Sequence, residues 1–318
     1  MRGPGFAARG RERFVETNGV TLRVTEAGEP GNPVVVLAHG FPELAYSWRH
    51  QIPVLADAGY HVLAPDQRGY GGSSRPEAVE DYDIVALTAD IAGLLDDAGA
   101  ERAVLVGHDW GSPVVANFAL FFPERVAAVA TLSVPPVPRA SAPPTQIWRR
   151  IFGDRYFYML HFQEPGLADA ELGGDPRRAL RRLLAMEGIT QPPESTTGRP
   201  LPPLPGWISS AEFERYVEAF TATGFTGPLN WYRNFDRNWE LTDPQAGLIR
   251  AHTITAPVLF LAGGADPVLG FTRRDRAREV ATGAYREVLL DGAGHWLQQE
   301  RPDEVTAALL EFLGDPRS

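Results

Sequence analysis

Five short, almost wholly apolar runs limit how this chain can fold: Val34 to Ala38, Tyr60 to Ala64, Ala103 to Val106, Val126 to Leu132 and Pro257 to Ala262. Successive side chains of a strand point to opposite faces, so a run apolar at every position has to be buried on both. The β-branched run Val34-Val35-Val36-Leu37-Ala38 is the clearest case. Between these runs the first half of the chain carries helical stretches, among them the amphipathic Ile84 to Ala98 and a segment from Trp48 to Ala58 expected to be helical past Pro53. Strands alternating with helices imply a mostly parallel sheet covered by helices on both faces, with binding at the carboxyl ends of its strands.

The order of the runs defines the organisation. Phe14 to Ala27 alternates apolar and polar residues about Asn18-Gly19, which reads as a hairpin. From Pro135 to Arg250 the strand runs stop, prolines cluster, and helical stretches such as Arg177 to Met186 and Ala211 to Thr221 take over, separated by a proline-rich loop from Gln191 to Gly206. The sheet pattern resumes at Pro257 and at Tyr285 to Leu290, and a helix is expected from Asp303 to Leu313. The expected division is a core of residues 1–134 and 251–318 interrupted by a helical lid, 135–250, lying over the strand ends.

Composition removes several classes of function. There is no cysteine, so disulfides and thiolate metal sites are excluded. A net charge of −10 without a basic block argues against a nucleic-acid partner. No apolar span is long enough to cross a bilayer and the N-terminal residues lack a signal-peptide core, so the expectation is a soluble, cytoplasmic protein with no membrane partner.

The chemistry gathers where strands end. Ala103 to Val106 runs into Gly107-His108-Asp109-Trp110-Gly111 and then into the helical Val114 to Leu120, the strand, turn and helix of a nucleophile elbow with aspartate where serine is usual. By itself Asp109 reads equally well as a helix cap. Two later strands, however, end in Gly263-Gly264-Ala265-Asp266 and in Gly292-Ala293-Gly294-His295. Asp109, Asp266 and His295 thus stand in the chain order of nucleophile, acid and base, each after a strand. The glycine-rich Gly69 to Ser74 loop lacks the spacing of a phosphate-binding loop, and no His, Asp and Glu spacing suggests a metal. His39 reads as a support for its loop, and His108 has no assigned role.

At this point the chain resembles a known family. His39-Gly40-Phe41-Pro42-Glu43, Tyr46-Ser47-Trp48-Arg49, Gly107-His108-Asp109-Trp110-Gly111 and Gly294-His295-Trp296 look like the epoxide hydrolases of the α/β-hydrolase fold, and the likeness runs through the lid in Tyr158 to Gly166 and Gly227 to Asn234. The resemblance implies Asp109 as nucleophile, Tyr158 and Tyr232 as the acids that open the ring, His295 with Asp266 as the base pair that activates water, and backbone N–H groups of Phe41 and Trp110 as the oxyanion hole. Phe41, Trp110, Tyr158 and Tyr232 would touch a small apolar epoxide. It implies no cofactor and no metal, and is compatible with a homodimer. The residues suit that chemistry: displacing oxygen from a saturated carbon calls for an anionic nucleophile, which an aspartate with an ordinary pKa of about 3.9 provides without a base. Haloalkane dehalogenases also use such an aspartate followed by Trp, but they usually have asparagine where Phe41 stands and lack the paired tyrosines. A noncatalytic binding protein of this fold would not require the complete Asp109, Asp266 and His295 set.

Overall fold

The computed structural model describes residues 10–188 and 198–314; residues 191–197 of the expected proline-rich loop lie outside the described residues. Strands β1 (Arg11–Thr17) and β2 (Val20–Ala27) form the hairpin, turned by Asn18 and Gly19 at φ 45° and 73°. Both residues at positive φ are what a two-residue connection of matching twist requires. Then follow β3 (Val34–Ala38), α1 (Gln51–Asp57), β4 (His61–Pro65), α2 (Ile84–Asp97), β5 (Ala103–His108), α3 (Gly111–Phe121) and β6 (Val126–Leu132). The helix expected past Pro53 begins two residues earlier, at Gln51. Proline is tolerated in a first turn, where its missing N–H would have had no partner within the helix.

The lid intervenes as α4 (Pro144–Phe152), α5 (Tyr158–His161), α6 (Leu167–Gly173), α7 (Pro176–Leu184), α8 (Ser210–Thr223), α9 (Thr226–Arg233) and α10 (Phe235–Leu241). The core resumes with β7 (Val258–Gly263), α11 (Ala277–Val280), β8 (Tyr285–Leu290), α12 (Leu297–Glu300) and α13 (Pro302–Leu313). Eight strands pair in the order β1-β2-β4-β3-β5-β6-β7-β8; β2 is antiparallel to both neighbours and the remaining pairings are parallel. Strand alternation divides the interior as expected. Val34, Val36 and Ala38 pack with Leu94 and Phe118 on one face, while Val35 and Leu37 pack with Ile52 and Leu309 on the other.

The glycine-rich loop seats the lid. Gly69 meets Gly227 of α9 so closely that a Cβ on Gly227 would lie 2.8 Å from the Gly69 Cα, which no side chain could occupy without moving backbone. The same approach is pinned by Trp231 Nε1 donating to the Arg68 carbonyl at 3.0 Å and Asn234 Nδ2 donating to the Val79 carbonyl at 2.6 Å. Helix α9 carries Tyr232, so this seat sets one wall of the cleft.

Candidate active site

Asp109 sits between β5 and α3 at φ 48°, a left-handed conformation that is uncommon for a residue with a Cβ. The turn closes only because glycine flanks it: a Cβ on Gly107 would lie 2.2 Å from the Gly111 carbonyl oxygen, and one on Gly111 would lie 2.1 Å from that of Ala38. Hydrogen bonds hold the strained residue in place. Its N–H donates to the Leu132 carbonyl at 3.2 Å, and its carbonyl accepts from the Ser112 N–H at 3.0 Å. The side chain is thereby aimed at the loop after β3, where the Phe41 N–H donates to Asp109 Oδ1 at 2.8 Å. Among the described bonds this is the one of the two expected oxyanion donors that engages the carboxylate. The Trp110 amide lies next in the chain, at the start of α3.

His295 and Asp266 come together as their order implies. His295 Nδ1 donates to Asp266 Oδ2 at 3.0 Å, and Nε2 stands 3.6 Å from Asp109 Oδ2. Asp266 also accepts from the Val268 N–H at 2.9 Å, which fixes the carboxylate that in turn orients the imidazole. His39 supports its loop: its Nε2 accepts from the Gln67 N–H at 3.0 Å, leaving Nδ1–H to donate to the Gly40 carbonyl at 2.9 Å.

Beneath this row lies a buried polar network that the sequence did not reveal. His108 Nε2 donates to the His295 carbonyl at 2.8 Å, and its Nδ1 pairs with Glu43 Oε2 at 2.7 Å. Both side chains are wholly buried. Glu43 Oε1 accepts from Gln298 at 2.9 Å and from Gln299 at 2.8 Å, so α12 is tied to the loop after β3 through one carboxylate. Glu43 and His108 lie inside motifs visible in the sequence, but their partners stand up to 256 positions away and obey no spacing rule.

Charge in the site is shared among three groups. Burial disfavours the charged form of Asp109, but His295 more than offsets it and the Asp109 pKa falls below the ordinary carboxylate value; that of Asp266 does the same. Burial likewise opposes the His295 cation, yet the carboxylates of Asp266 and Asp109 outweigh it and push its pKa up to about 10. The two flanking carboxylates thus favour the cationic form of His295 while Asp109 is free. Tyr158 and Tyr232 have pKa values raised well above that of a free phenol, first by burial and then by the Asp109 charge, so both keep their protons.

Phe41, Tyr158, Phe162, Tyr232, His295 and Trp296 line a cleft of about 420 Å³; Asp109, Asp266 and Trp110 are not among its lining residues and stand behind that wall, in contact with His295, Phe41 and Tyr232. Tyr232 is held by edge-to-face contacts with Phe41, Trp110 and Phe162 at ring separations of 5.4, 5.2 and 5.1 Å, and Tyr158 lies 6.0 Å from it, ring to ring. All seven expected site residues therefore converge. Among the described residues no group of three or more His, Asp or Glu side chains is placed to hold a metal ion, and no helix is long and apolar enough to cross a membrane.

Comparisons with known proteins place the chain in a family. Residues 33–170 match the family model for the alpha/beta hydrolase fold. Epoxide hydrolase A of Mycobacterium tuberculosis is 67% identical over 315 residues, covering 95% of this chain and 97% of that protein. Epoxide hydrolase 3 of Siraitia grosvenorii is 38% identical, covering 94% and 96%. The crystal structure of epoxide hydrolase A from Mycobacterium thermoresistibile superposes with a TM-score of 0.89 at 63% identity, over 96% of this chain and 98% of that one. A strained aspartate facing a histidine and carboxylate pair under an aromatic lid, in a chain this similar to those relatives along nearly its whole length, makes this protein a member of the epoxide hydrolase family of the α/β-hydrolase fold.

Proposed function

We propose that this epoxide hydrolase converts a small apolar epoxide to its vicinal diol in two steps through an alkyl ester on Asp109. The observation that carries the reading is the division of labour across the Asp109 carboxylate: Oδ1 is held by the Phe41 N–H, while Oδ2 is the oxygen nearer His295. Oδ2 attacks a ring carbon, the C–O bond breaks, and the electron pair passes to the epoxide oxygen, which takes a proton from Tyr158 or Tyr232. The Asp109 charge that keeps the phenols protonated before attack is the charge transferred to that oxygen.

Ester formation also changes the base. Neutralising Asp109 removes one of the two carboxylates that hold His295 protonated, so its pKa falls and the imidazolium proton passes, through solvent, to the phenolate that ring opening left; the neutral imidazole then accepts a proton from water. That water attacks the ester carbonyl carbon, and the resulting oxyanion at Oδ1 already lies at the Phe41 N–H, with Trp110 as the second donor. Collapse breaks the bond to the alkyl oxygen, which takes the imidazolium proton and leaves as the diol; the new carboxylic acid returns its proton to His295, restoring the Asp109 carboxylate and the imidazolium. Asp266 fixes the tautomer and stabilises the imidazolium in this step.

The same proposal includes residues 135–250 as the lid and 1–134 with 251–318 as the core, a cytoplasmic location, and a homodimer, the last read out by sedimentation. Styrene oxide is the test substrate. Wild-type protein is expected to form the diol, and His295→Gln is expected to accumulate a species heavier by one substrate mass, located on Asp109 by peptide mass spectrometry. Diol formation with no such adduct in the variant would exclude the ester route.

A further inference from the structure

Arg49 lies at the junction of core and lid, and its guanidinium is almost fully engaged although its side chain is only 5% exposed. Nη1 donates to Gln299 Oε1 at 2.5 Å, Nε to Glu212 Oε1 at 2.6 Å, and Nη2 to the Trp207 carbonyl at 3.3 Å. The two carboxamide and carboxylate partners belong to different machinery. Gln299, on α12, follows His295 by four residues and donates its own N–H to Glu43, which pairs with the His108 that holds the His295 carbonyl. Glu212 is the third residue of α8, and its other oxygen, Oε2, accepts from the Ser209 N–H at 2.8 Å and from Ser209 Oγ at 2.6 Å. One carboxylate thus caps the lid helix and ties it to the core.

We propose that Arg49 is a positioning residue for the hydrolytic half of the reaction, acting through Gln299 to hold the α12 segment, and with it His295, at the distance that water activation requires. The asymmetry of the lid attachments directs the effect to that half. Helix α9, which carries Tyr232, is pinned to the core independently of Arg49, by Trp231 on the Arg68 carbonyl, Asn234 on the Val79 carbonyl and the Gly69 to Gly227 contact. Around His295 the backbone is clamped by Glu300, which accepts from the Gly294 and Trp296 N–H groups at 2.6 and 3.0 Å, by Ser133 Oγ donating to the His295 carbonyl at 3.0 Å and by Gln51 donating to the Gln298 carbonyl at 3.0 Å. The Gln299 side chain adds a tie to Glu43, and Arg49 is the charged donor that orients Gln299. Removing the guanidinium leaves the buried Gln299 oxygen without its charged donor and frees the amide to rotate away from Glu43. Tyr232 keeps its place on α9, while α12 loses one of its ties and the geometry of His295 relaxes with it.

This rests on the two-step reading, and kinetics separates the two claims. When hydrolysis of the ester is slowed and its formation is not, kcat and KM fall together and kcat/KM stays constant, because the latter reports only steps up to ester formation. Arg49→Met and Gln299→Met are each expected to lower kcat for styrene oxide by about tenfold or more, a size typical of small displacements of a reacting group, with KM falling in proportion. Ester on Asp109 would then be visible by intact-protein mass at steady state. Arg49→Lys, which keeps the charge but not the fork, should recover part of the loss. A fall in kcat/KM without ester, in both Met variants, would assign Arg49 to the lid alone, and unchanged kinetics would assign it no role; either overturns the proposal. If Arg49→Met does not fold, as judged by circular dichroism, Gln299→Met decides. Absence of ester from His295→Gln as well would remove the two-step reading and this proposal with it, an outcome recognisable without any Arg49 variant.

Discussion

The two walls of the cleft are held by different forces. On the core side every reacting group is oriented by hydrogen bonds to the backbone or to a charge: Asp109 by the Phe41 N–H and its own strained turn, His295 by Asp266 and, through its carbonyl, by His108. On the lid side the rings of Tyr158 and Tyr232 are positioned mainly by packing against Phe41, Trp110 and Phe162, with a single side-chain hydrogen bond between Trp110 and Tyr232. Hydrogen bonds specify direction and distance closely, as a nucleophile approaching carbon along one line demands. Aromatic contacts fix a ring while letting it shift slightly, which suits a donor that must follow an oxygen as it leaves the carbon.

Substitutions can break or sharpen this contrast. The largest effect is expected from Asp109→Ala, which removes the proposed nucleophile and should reduce diol formation to the uncatalysed rate, measured by chromatography; turnover well above that rate would mean that the lid tyrosines suffice to direct water onto the ring. Next comes the lid wall. Because packing supplies most of what holds the rings, with one hydroxyl contact from Trp110 to Tyr232, the Tyr158→Phe, Tyr232→Phe double variant should keep its fold while ester formation in a single turnover slows by roughly 10²-fold or more, with smaller losses for each single change. A double variant that opens the ring at the wild-type rate would show that these phenols are not the acids.

The smallest expected effect concerns the tie between the walls. Burial opposes the charge on Glu212, but the Ser209 bonds and Arg49 hold its pKa down to about 2. A carboxylate whose pKa is depressed in the folded state contributes stability that is complete above the unfolded value of about 4.5 and is lost as pH falls through 2. Glu212→Gln should therefore melt about 2 °C lower than wild type at pH 7, and the gap should close below pH 4 in thermal melts. A gap that widens in acid would mean that the tie does not depend on the charge.

Much of this could be read from the residues. The apolar runs specified most of the strands, their alternation with helices specified a parallel sheet, and because Asp109 and Asp266 follow two of those runs and His295 follows the Tyr285 to Leu290 strand, their gathering at the carboxyl ends of the sheet followed from topology. The turn at Asn18-Gly19 is local in the same sense. The roles of Glu43, His108, Arg49, Gln298 and Gln299 were not legible: they are polar residues that look like surface or motif filler until segments separated by 250 positions and more are packed together. The glycine-rich loop could be recognised as structural, but not that Gly227 would rest on it.

What the sequence by itself determined is the identity and order of the groups, since strand ends and glycine turns depend on neighbours along the chain. Only the tertiary structure decided which groups share a charge and which carry a proton. The histidine owes a pKa pushed up to about 10 to carboxylates brought from distant strands, against the opposing effect of burial, and the two phenols owe their raised values first to burial and then to the Asp109 charge. Desolvation and Coulomb energy depend on separation in space, and the chain sets that separation only when it is folded.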